Sequence, residues 1–571
     1  MIKPSWIFKN IDDELVKKIS SEFDLPKMIS QIMSLREITN KKEIDAFFKP
    51  NPIQMHDPFL MKDMDVSVDK ILLQIQQKER ILILGDYDVD GTTGTSLLYL
   101  FLNSIGGDVQ YYIPNRETEG YGLSEQGINF ASAIGATVLI TVDCGINAFE
   151  KVEYANSKNI DVIITDHHKQ GITLPDAYAI LNPNQHECNY PFKGLCGAGV
   201  AFKLALAVCE RGKFEMDHIW QHADLVALGI AADLVPVTDE NRVIVNKGIK
   251  LIQKGQKPGI RAMTHAAGLQ DKEITVGRMV FWIAPKINAA GRLGDGGRAV
   301  KLLTTTNPVF AHELAQELER ENKKRQNITL NNVDEAIYKV NSQFDPDRDY
   351  AIVLSDRKWH AGVIGIVASR IKELYYRPVV VLSIDSNGMA KGSCRSILKF
   401  DLYDALTDCK DILEGFGGHP IAAGLTIKED NIPAFKDRFL EIAKSKIDSS
   451  DIVPELKLDG ILPIREINGR FINFLKALAP YGPGNMRPKF VSRNVSVIGT
   501  PRLIGKDCNT LKFTVKQNHA EFDTIGFGMA THYEKLLANQ PIDIAYEVGE
   551  NEWKGKKTIQ LELKDIKLRE E

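Results

Sequence analysis

Between Arg80 and Leu181 short apolar runs alternate with longer amphipathic stretches. The runs are ILIL at 81–84, VQYYI at 109–113, ATVLITV at 136–142, IDVIIT at 160–165 and one that ends at Leu181. Continuous apolar runs of this length, separated by stretches long enough for a helix, predict βαβ units and a parallel sheet buried on both faces. From Pro308 to about Val340 the pattern becomes helical and charged, and Glu319 with Lys323 and Glu321 with Arg325 form i,i+4 pairs in the favourable order. That stretch predicts a long helix connecting two compact regions. A second α/β region follows, with DYAIVLS (349–355), RPVVVLS (377–383) and a glycine-rich segment, GFGGHPIAAG (415–424). Beyond about Asp451, LKFTVK (511–516) and TIQLELK (558–564) alternate apolar and polar positions, and WKGKK (553–557) interrupts them. This is the signature of antiparallel strands in a small barrel. The expected division is a mostly helical cap at 1–75, a parallel-sheet domain at 76–240, a helical extension and connector at 241–345, a second α/β domain at 346–450 and a β-barrel at 451–571.

The chain has 571 residues, of which 44% are hydrophobic and 26% charged. That is apolar enough for several cores and excludes a disordered chain. The formal net charge is −4, so any basic surface that meets a polyanion is local. The 7 cysteines form no C-x-x-C pair. An odd, scattered set argues against a disulfide framework or a structural zinc site and fits a reducing cytoplasm. The N-terminus MIKPSWIFKN has no apolar signal region and no run approaches the ~18–20 apolar residues of a membrane span, so the protein is expected to be soluble, cytoplasmic and not exported.

The sharpest chemical feature is GDYDVDG at 85–91, where Asp86, Asp88 and Asp90 occupy alternate positions directly after a strand. Ligands of open α/β sheets bind beyond the carboxyl ends of the strands. Three carboxylates crowded there repel one another unless a cation neutralises them. ATVLITVDCG places Asp143 at the end of a second run, and IDVIITDHH places Asp166, His167 and His168 at the end of a third. Asp233 in LVALGIAADLVP is a fourth candidate, preferred over Asp224 because an unpaired carboxylate among its apolar neighbours would be expensive. Carboxylates with one imidazole form a hard, oxygen-rich set, suited to two divalent ions, Mn²⁺ or Mg²⁺, rather than structural zinc.

DYDVDG, VDCG, DHH and the Asp of GIAAD resemble, in order, the four motifs of the DHH phosphoesterase family. WHAGVIGIVASRI (359–371), GSCRSI (392–397) and GFGGHPIAAG resemble its companion DHHA1 domain. IPNRETEGYGLS (113–124), PKINAAGR (285–292) and APYGPGNMRP (479–488) resemble the branch of single-stranded-DNA-specific exonucleases, the last at the approach to a C-terminal OB-type barrel. Leu84 stands where many relatives carry a histidine, which is usual for that branch and points away from the small-molecule phosphatases.

The resemblance implies metal ligands at Asp88, Asp90, Asp143, His167 and Asp233, with Asp143 bridging the ions and Asp86 part of the same motif. It implies that His168 contacts the scissile phosphate, that Arg116 and Arg292 meet DNA phosphates, and that Ser393, Arg395, Gly417, Gly418 and His419 hold the strand. The implied activity is 5′→3′ hydrolysis of single-stranded DNA to 5′-mononucleotides in repair and recombination, with Asp143, His168 and Arg292 in catalytic roles. Single-strand-binding protein and a helicase are the implied partners, with no membrane. Trp359 is as much a candidate for the core as for base stacking, and Arg502, Lys554, Lys556 and Lys557 are candidate phosphate contacts. The rival readings are a DHH phosphatase acting on small substrates, an inactive replisome scaffold and a dinucleotide-binding protein. The C-terminal barrel, the full set of candidate ligands and the lack of G-x-G-x-x-G after the first strand weigh against them in turn.

Overall fold

The computed structural model describes residues 3–568 apart from Glu117, Gly294, Asp347, Asn539 and Lys554, and leaves out the side chains of Arg292, Leu293, Trp553 and Lys556. The chain divides into two compact units, one made of Ile11–Asn322 and Leu462–Pro488, the other of Met1–Asn10, Lys323–Ile461 and Lys489–Glu571.

The first unit is built on a five-stranded sheet of β1 (Arg80–Gly85), β2 (Asp108–Tyr112), β3 (Ala136–Val142), β4 (Asp161–Thr165) and β5 (Ala179–Leu181) in the order β2-β1-β3-β4-β5. Every neighbouring pair is parallel. Alternation along each strand sends residues to opposite faces. Ile81 and Ile83 enter one core with Val138 and Ile140, while Leu82 and Leu84 enter another with Leu139 and Ile164. The sheet is therefore buried on both sides, as the unbroken apolar runs require. Four helices of this unit matter for the site: α1 (Val89–Ser104), α2 (Gly197–Gly212), α3 (Ala223–Ala232) and α4 (Ala284–Leu293). Residues 462–488, distant in sequence, are held here by Arg242. Its guanidinium donates to the carbonyls of Phe47 (3.0 Å), Leu478 (3.2 Å), Ala479 (2.8 Å) and Pro480 (3.3 Å).

The expected connector is α5 (Pro308–Gln343), 36 residues long. The second unit carries a five-stranded mixed sheet of β6 (Ile352–Asp356), β7 (Val379–Ile384), β8 (Met389–Arg395), β9 (Gly415–His419) and β10 (Ala422–Lys428), in the order β9-β10-β8-β7-β6, with α6 (Ile364–Tyr375) packed on it. It also carries a barrel of β11 (Phe490–Ile504), β12 (Thr510–Gln517), β13 (Ala520–Phe527), β14 (Ile542–Trp553) and β15 (Lys556–Leu568). The barrel closes because β14 pairs with both β15 and β11. A short strand, Ser5–Phe8, belongs to this unit. It pairs in parallel with Glu455–Leu458, and Trp6 Nε1 donates to Asp565 at 2.7 Å.

GFGGHPIAAG forms an antiparallel hairpin, with β9 as the sheet's edge strand. Trp359 is 3% exposed and its Nε1 donates to Glu335, so of its two expected roles the structure shows the core one. Of the barrel candidates, Arg502 is exposed on β11 and Lys557 lies 3.8 Å from Glu552, while Lys554 and the Lys556 side chain lie outside the described residues.

Candidate metal centre

Three aspartates stand side by side at the carboxyl ends of adjacent strands. The N–H of Asp86 donates to Val142 O (3.1 Å), that of Asp143 to Thr165 O (2.9 Å) and that of Asp166 to Leu181 O (3.0 Å). Each bond continues the sheet by one step, so the strand register itself aligns the three residues. Asp143 has φ 63°, a left-handed conformation that Asp tolerates better than most residues.

Helix ends bring the remaining carboxylates in. Asp88 is the N-cap of α1 and accepts from Gly91 N at 3.0 Å. Asp90, 1% exposed, is gripped by the first turn of α2 through Gly197 N (2.5 Å) and Ala198 N (3.0 Å), a favourable place for an anion. Asp233 is the C-cap of α3. His167 Nε2 lies 3.1 Å from Asp143, 3.6 Å from Asp233 and 4.0 Å from Asp90. Asp224 sits instead in the first turn of α3 and pairs with Lys257 at 2.8 Å.

The ligand atoms of Asp90, His167 and Asp233 lie within 4.8 Å of one another, as do those of Asp86, Asp88 and Asp143. With Asp143 Oδ1 also 3.1 Å from His167, the two clusters meet at Asp143. Burial, reinforced by Asp88, pushes the Asp86 carboxyl up to about 8; burial and Asp90 do the same to Asp233. Burial and the Asp90 charge raise Asp88, and burial with the Asp90, Asp88 and Asp86 charges raises Asp143 well above the usual carboxylate range. Asp86 Oδ1, Asp143 Oδ1 and His167 Nε2 are buried and have no hydrogen-bond partner among the described residues. Buried polar atoms are otherwise almost always satisfied. Acceptors that repel one another and lack donors fit cations, and the all-oxygen and imidazole set fits hard divalent ions.

His168 Nδ1 lies 3.9 Å from Asp143 Oδ1, and its ring is 4.5 Å from that of His167, but its closest hydrogen-bond partner is Asp166. Its Nδ1 is 2.7 Å from Asp166 Oδ1, which also accepts the backbone N–H groups of His167 (2.7 Å) and His168 (3.1 Å). Burial pulls the His168 imidazole down, but its hydrogen bond to Asp166 and the Asp166 charge outweigh it and lift the ring to about 9. Asn182 and Asn184 donate to the carbonyls of His168 (2.9 Å) and His167 (2.6 Å). Tyr121 donates to Asp143 O at 2.9 Å. Arg116 stacks on Tyr87 at 5.4 Å, and Tyr87 in turn meets Tyr121 edge-on at 6.4 Å. Arg292 is in the last turn of α4, with its side chain outside the described residues.

Sequence reasoning assigned no role to Asp166, Tyr121, Asn182, Asn184 or Gly197. Asp166 had a signal, its place at a strand end beside two histidines; the others act through contacts that no local pattern encodes.

In the second unit, Ser393, Gly424 and Gly417 are aligned across β8, β10 and β9, with Arg395, Ala422 and His419 aligned one pair along. Ser393, Arg395, Gly417 and His419 thus share one sheet face. A Cβ on Gly417 would meet nothing within 4 Å, leaving backbone open to a ligand. Gly418 faces the other way, with φ 141°, and a Cβ there would lie 2.5 Å from Ala423 Cα. Its need for glycine is therefore cross-strand packing.

Residues 80–230 match the DHH family N-terminal domain, 348–445 the DHHA1 domain and 458–565 the RecJ OB domain. The chain is 37% identical to the single-stranded-DNA-specific exonuclease RecJ of Bacillus subtilis, over 100% of its own length and 71% of that protein's. The chain belongs to the RecJ family. The Escherichia coli RecJ exonuclease is 34% identical over 95% of this chain and 96% of its own. The crystal structure of RecJ in complex with Mn²⁺ from Thermus thermophilus superposes with a TM-score of 0.83 at 29% identity, covering 98% of this chain and 79% of that one. RecJ from the same source was also solved with Mg²⁺. The α/β architecture, the two sheets and the closed barrel agree with the expected fold. Among the described residues no helix is long and apolar enough to cross a membrane.

Proposed function

We propose that Asp90, His167 and Asp233 form one half of a two-ion centre, Asp86 and Asp88 the other, and that Asp143 serves both. The observation that carries this is the meeting of two acidic clusters at one buried, donor-less Asp143 oxygen. The protein is a metal-dependent exonuclease acting on single-stranded DNA with Mn²⁺ or Mg²⁺, in the 5′→3′ direction, releasing 5′-mononucleotides in repair and recombination. Bound ions of this kind activate water and neutralise phosphoryl oxygens.

The chain's own groups do the rest. His168, steered by Asp166 through Nδ1, offers its outer ring nitrogen as a donor to the scissile phosphate, where negative charge grows in the transition state. Arg292 adds a positive group on that phosphate, and Arg116, braced by Tyr87, anchors a neighbouring one. In the other unit Ser393, Arg395, Gly417 and His419 hold the nucleotide strand on their shared sheet face, and the barrel extends the strand-binding surface. The assignment of chemistry to 76–240, strand holding to 346–450 and further strand binding to 451–571 is part of this proposal. So are a cytoplasmic location and single-strand-binding protein and a helicase as partners.

The test is digestion of 5′-labelled and 3′-labelled single-stranded oligonucleotides with Mn²⁺. Immediate release of the 5′ label as mononucleotide, lost in Asp143→Ala, is the expected result. Release of neither label by the wild-type protein would overturn the exonuclease reading, and full activity of the variant would overturn the shared-ligand assignment.

A further inference from the structure

We propose that Asn288 is a positioning residue of the metal loop, acting through the backbone between Asp88 and Asp90 rather than on substrate or ion. Val89 is the first residue of α1, where an N–H group has no intrahelical acceptor. It is 1% exposed, so water does not solve the problem. The Asn288 side-chain oxygen, reaching from α4, accepts that N–H at 3.1 Å.

The same helix presses on the residue before Asp88. A Cβ on Gly291 would lie 2.5 Å from Tyr87 O, so the backbone of α4 lies directly against Tyr87. Asp88 is thus flanked on both sides by contacts from one helix: Tyr87 against Gly291 and Val89 bonded to Asn288. Asp88 has extended backbone angles (φ −85°, ψ −173°) and caps Gly91, while Asp90 leads on into the first turn of α1. Their carboxylates diverge from a short segment whose twist is set at Val89. Losing the Asn288 bond frees that twist and leaves a buried N–H unsatisfied. Asn288 and Arg292 both belong to α4. The element that carries the arginine assigned to DNA phosphate thereby also fixes two ligand carboxylates.

The inference rests on the two-ion reading, and its test reads metal binding separately from turnover. Mn²⁺ binding is followed by the EPR signal of the free ion in wild type, Asn288→Leu, Val89→Pro and the double variant. Asn288→Leu keeps the volume and removes the acceptor. Val89→Pro removes the donor at a first-turn position that favours proline, after a residue already extended. Val89→Ala retains the N–H and serves as the control. Loss of an outer-shell partner typically weakens metal binding ~10–100-fold. Each single variant is expected to show such a loss, the double variant no greater a loss than either, and Val89→Ala an affinity near wild type. Wild-type Mn²⁺ affinity in Asn288→Leu, or losses that multiply in the double variant, would overturn the proposal. Should Asn288→Leu fail to fold, Val89→Pro against Val89→Ala decides alone. If no variant and no wild type binds Mn²⁺, the two-ion reading fails instead.

Discussion

Gly197→Ala adds one methyl group and removes no ligand, yet it strikes the centre where two elements touch. The new Cβ would lie 2.4 Å from Asp143 Cβ, 2.7 Å from its Cα and 2.7 Å from its Oδ1. Carbon atoms in contact sit ~3.5–4.0 Å apart, so α2 and the end of β3 must separate by about 1 Å. The obstacle is the root of a side chain and its backbone, which have no rotamer to retreat into. The Gly197 and Ala198 N–H groups hold Asp90 at 2.5 and 3.0 Å, and a shift of that size breaks at least one bond. Overpacking costs about 1–3 kcal/mol, and a hydrogen bond to a charged group contributes about 1.5–3 kcal/mol. Mn²⁺ affinity is expected to fall at least ~10-fold, as it does when groups that orient ligands are disturbed. Maximal 5′-label release should fall with it, while the fold survives. The assay is a Mn²⁺ titration read by EPR and by nucleotide release, with circular dichroism as the check on folding. Gly197→Ala protein that is folded and matches wild type in both affinity and rate would refute the argument that this contact shapes the centre.

The β9 glycines should separate. Gly418→Ala forces a positive φ and a 2.5 Å clash with Ala423, expected to lower the thermal midpoint, whereas Gly417→Ala, with nothing within 4 Å, should leave it unchanged and instead weaken strand binding; equal midpoints would contradict this. Arg242→Met leaves the carbonyls of Phe47, Leu478, Ala479 and Pro480 without their donor, and a loss of about 3 kcal/mol or more is expected in denaturant unfolding, with activity per folded molecule kept; an unchanged midpoint would show that the segment 462–488 is held by other means. The Asp86 carboxyl, raised to about 8 by burial and Asp88, binds its proton more tightly folded than unfolded. Its contribution to metal-free stability is therefore full below about pH 4 and disappears as pH rises through about 8. The thermal midpoint of the metal-free protein relative to Asp86→Asn should fall across that window, and saturating Mn²⁺ should reverse the trend; a flat difference would mean that Asp86 does not titrate there.

Local pattern was enough for the elements and for most of the chemistry. An apolar run such as ATVLITV is a strand buried on both faces because no alternation is left for solvent, and an aspartate straight after it must stand at the strand's carboxyl end. Asp86, Asp143 and Asp166 were legible for that reason, and α5 because its charge pairs repeat at helical spacing. Asp233 was preferred to Asp224 in sequence for its apolar neighbours, but only the packing of α3 showed their partners, His167 for one and Lys257 for the other. The glycine-rich segment at 415–424 has the composition of a turn, but β9 and β10 pair as a hairpin that β8 joins to the sheet. Asn182, Asn184, Gly197 and Asn288 carry no periodic signal, since each works through hydrogen bonds or close approaches to residues on other elements or loops. The division into units was equally beyond local reading, because Ser5–Phe8 and 462–488 join elements hundreds of residues distant. Sequence by itself determined which segments become strands and helices and which strand ends carry acid, because burial and periodicity act over a few residues. Tertiary structure alone decided which of those ends meet and which small or amide side chains hold them there, because close approach depends on how whole elements pack.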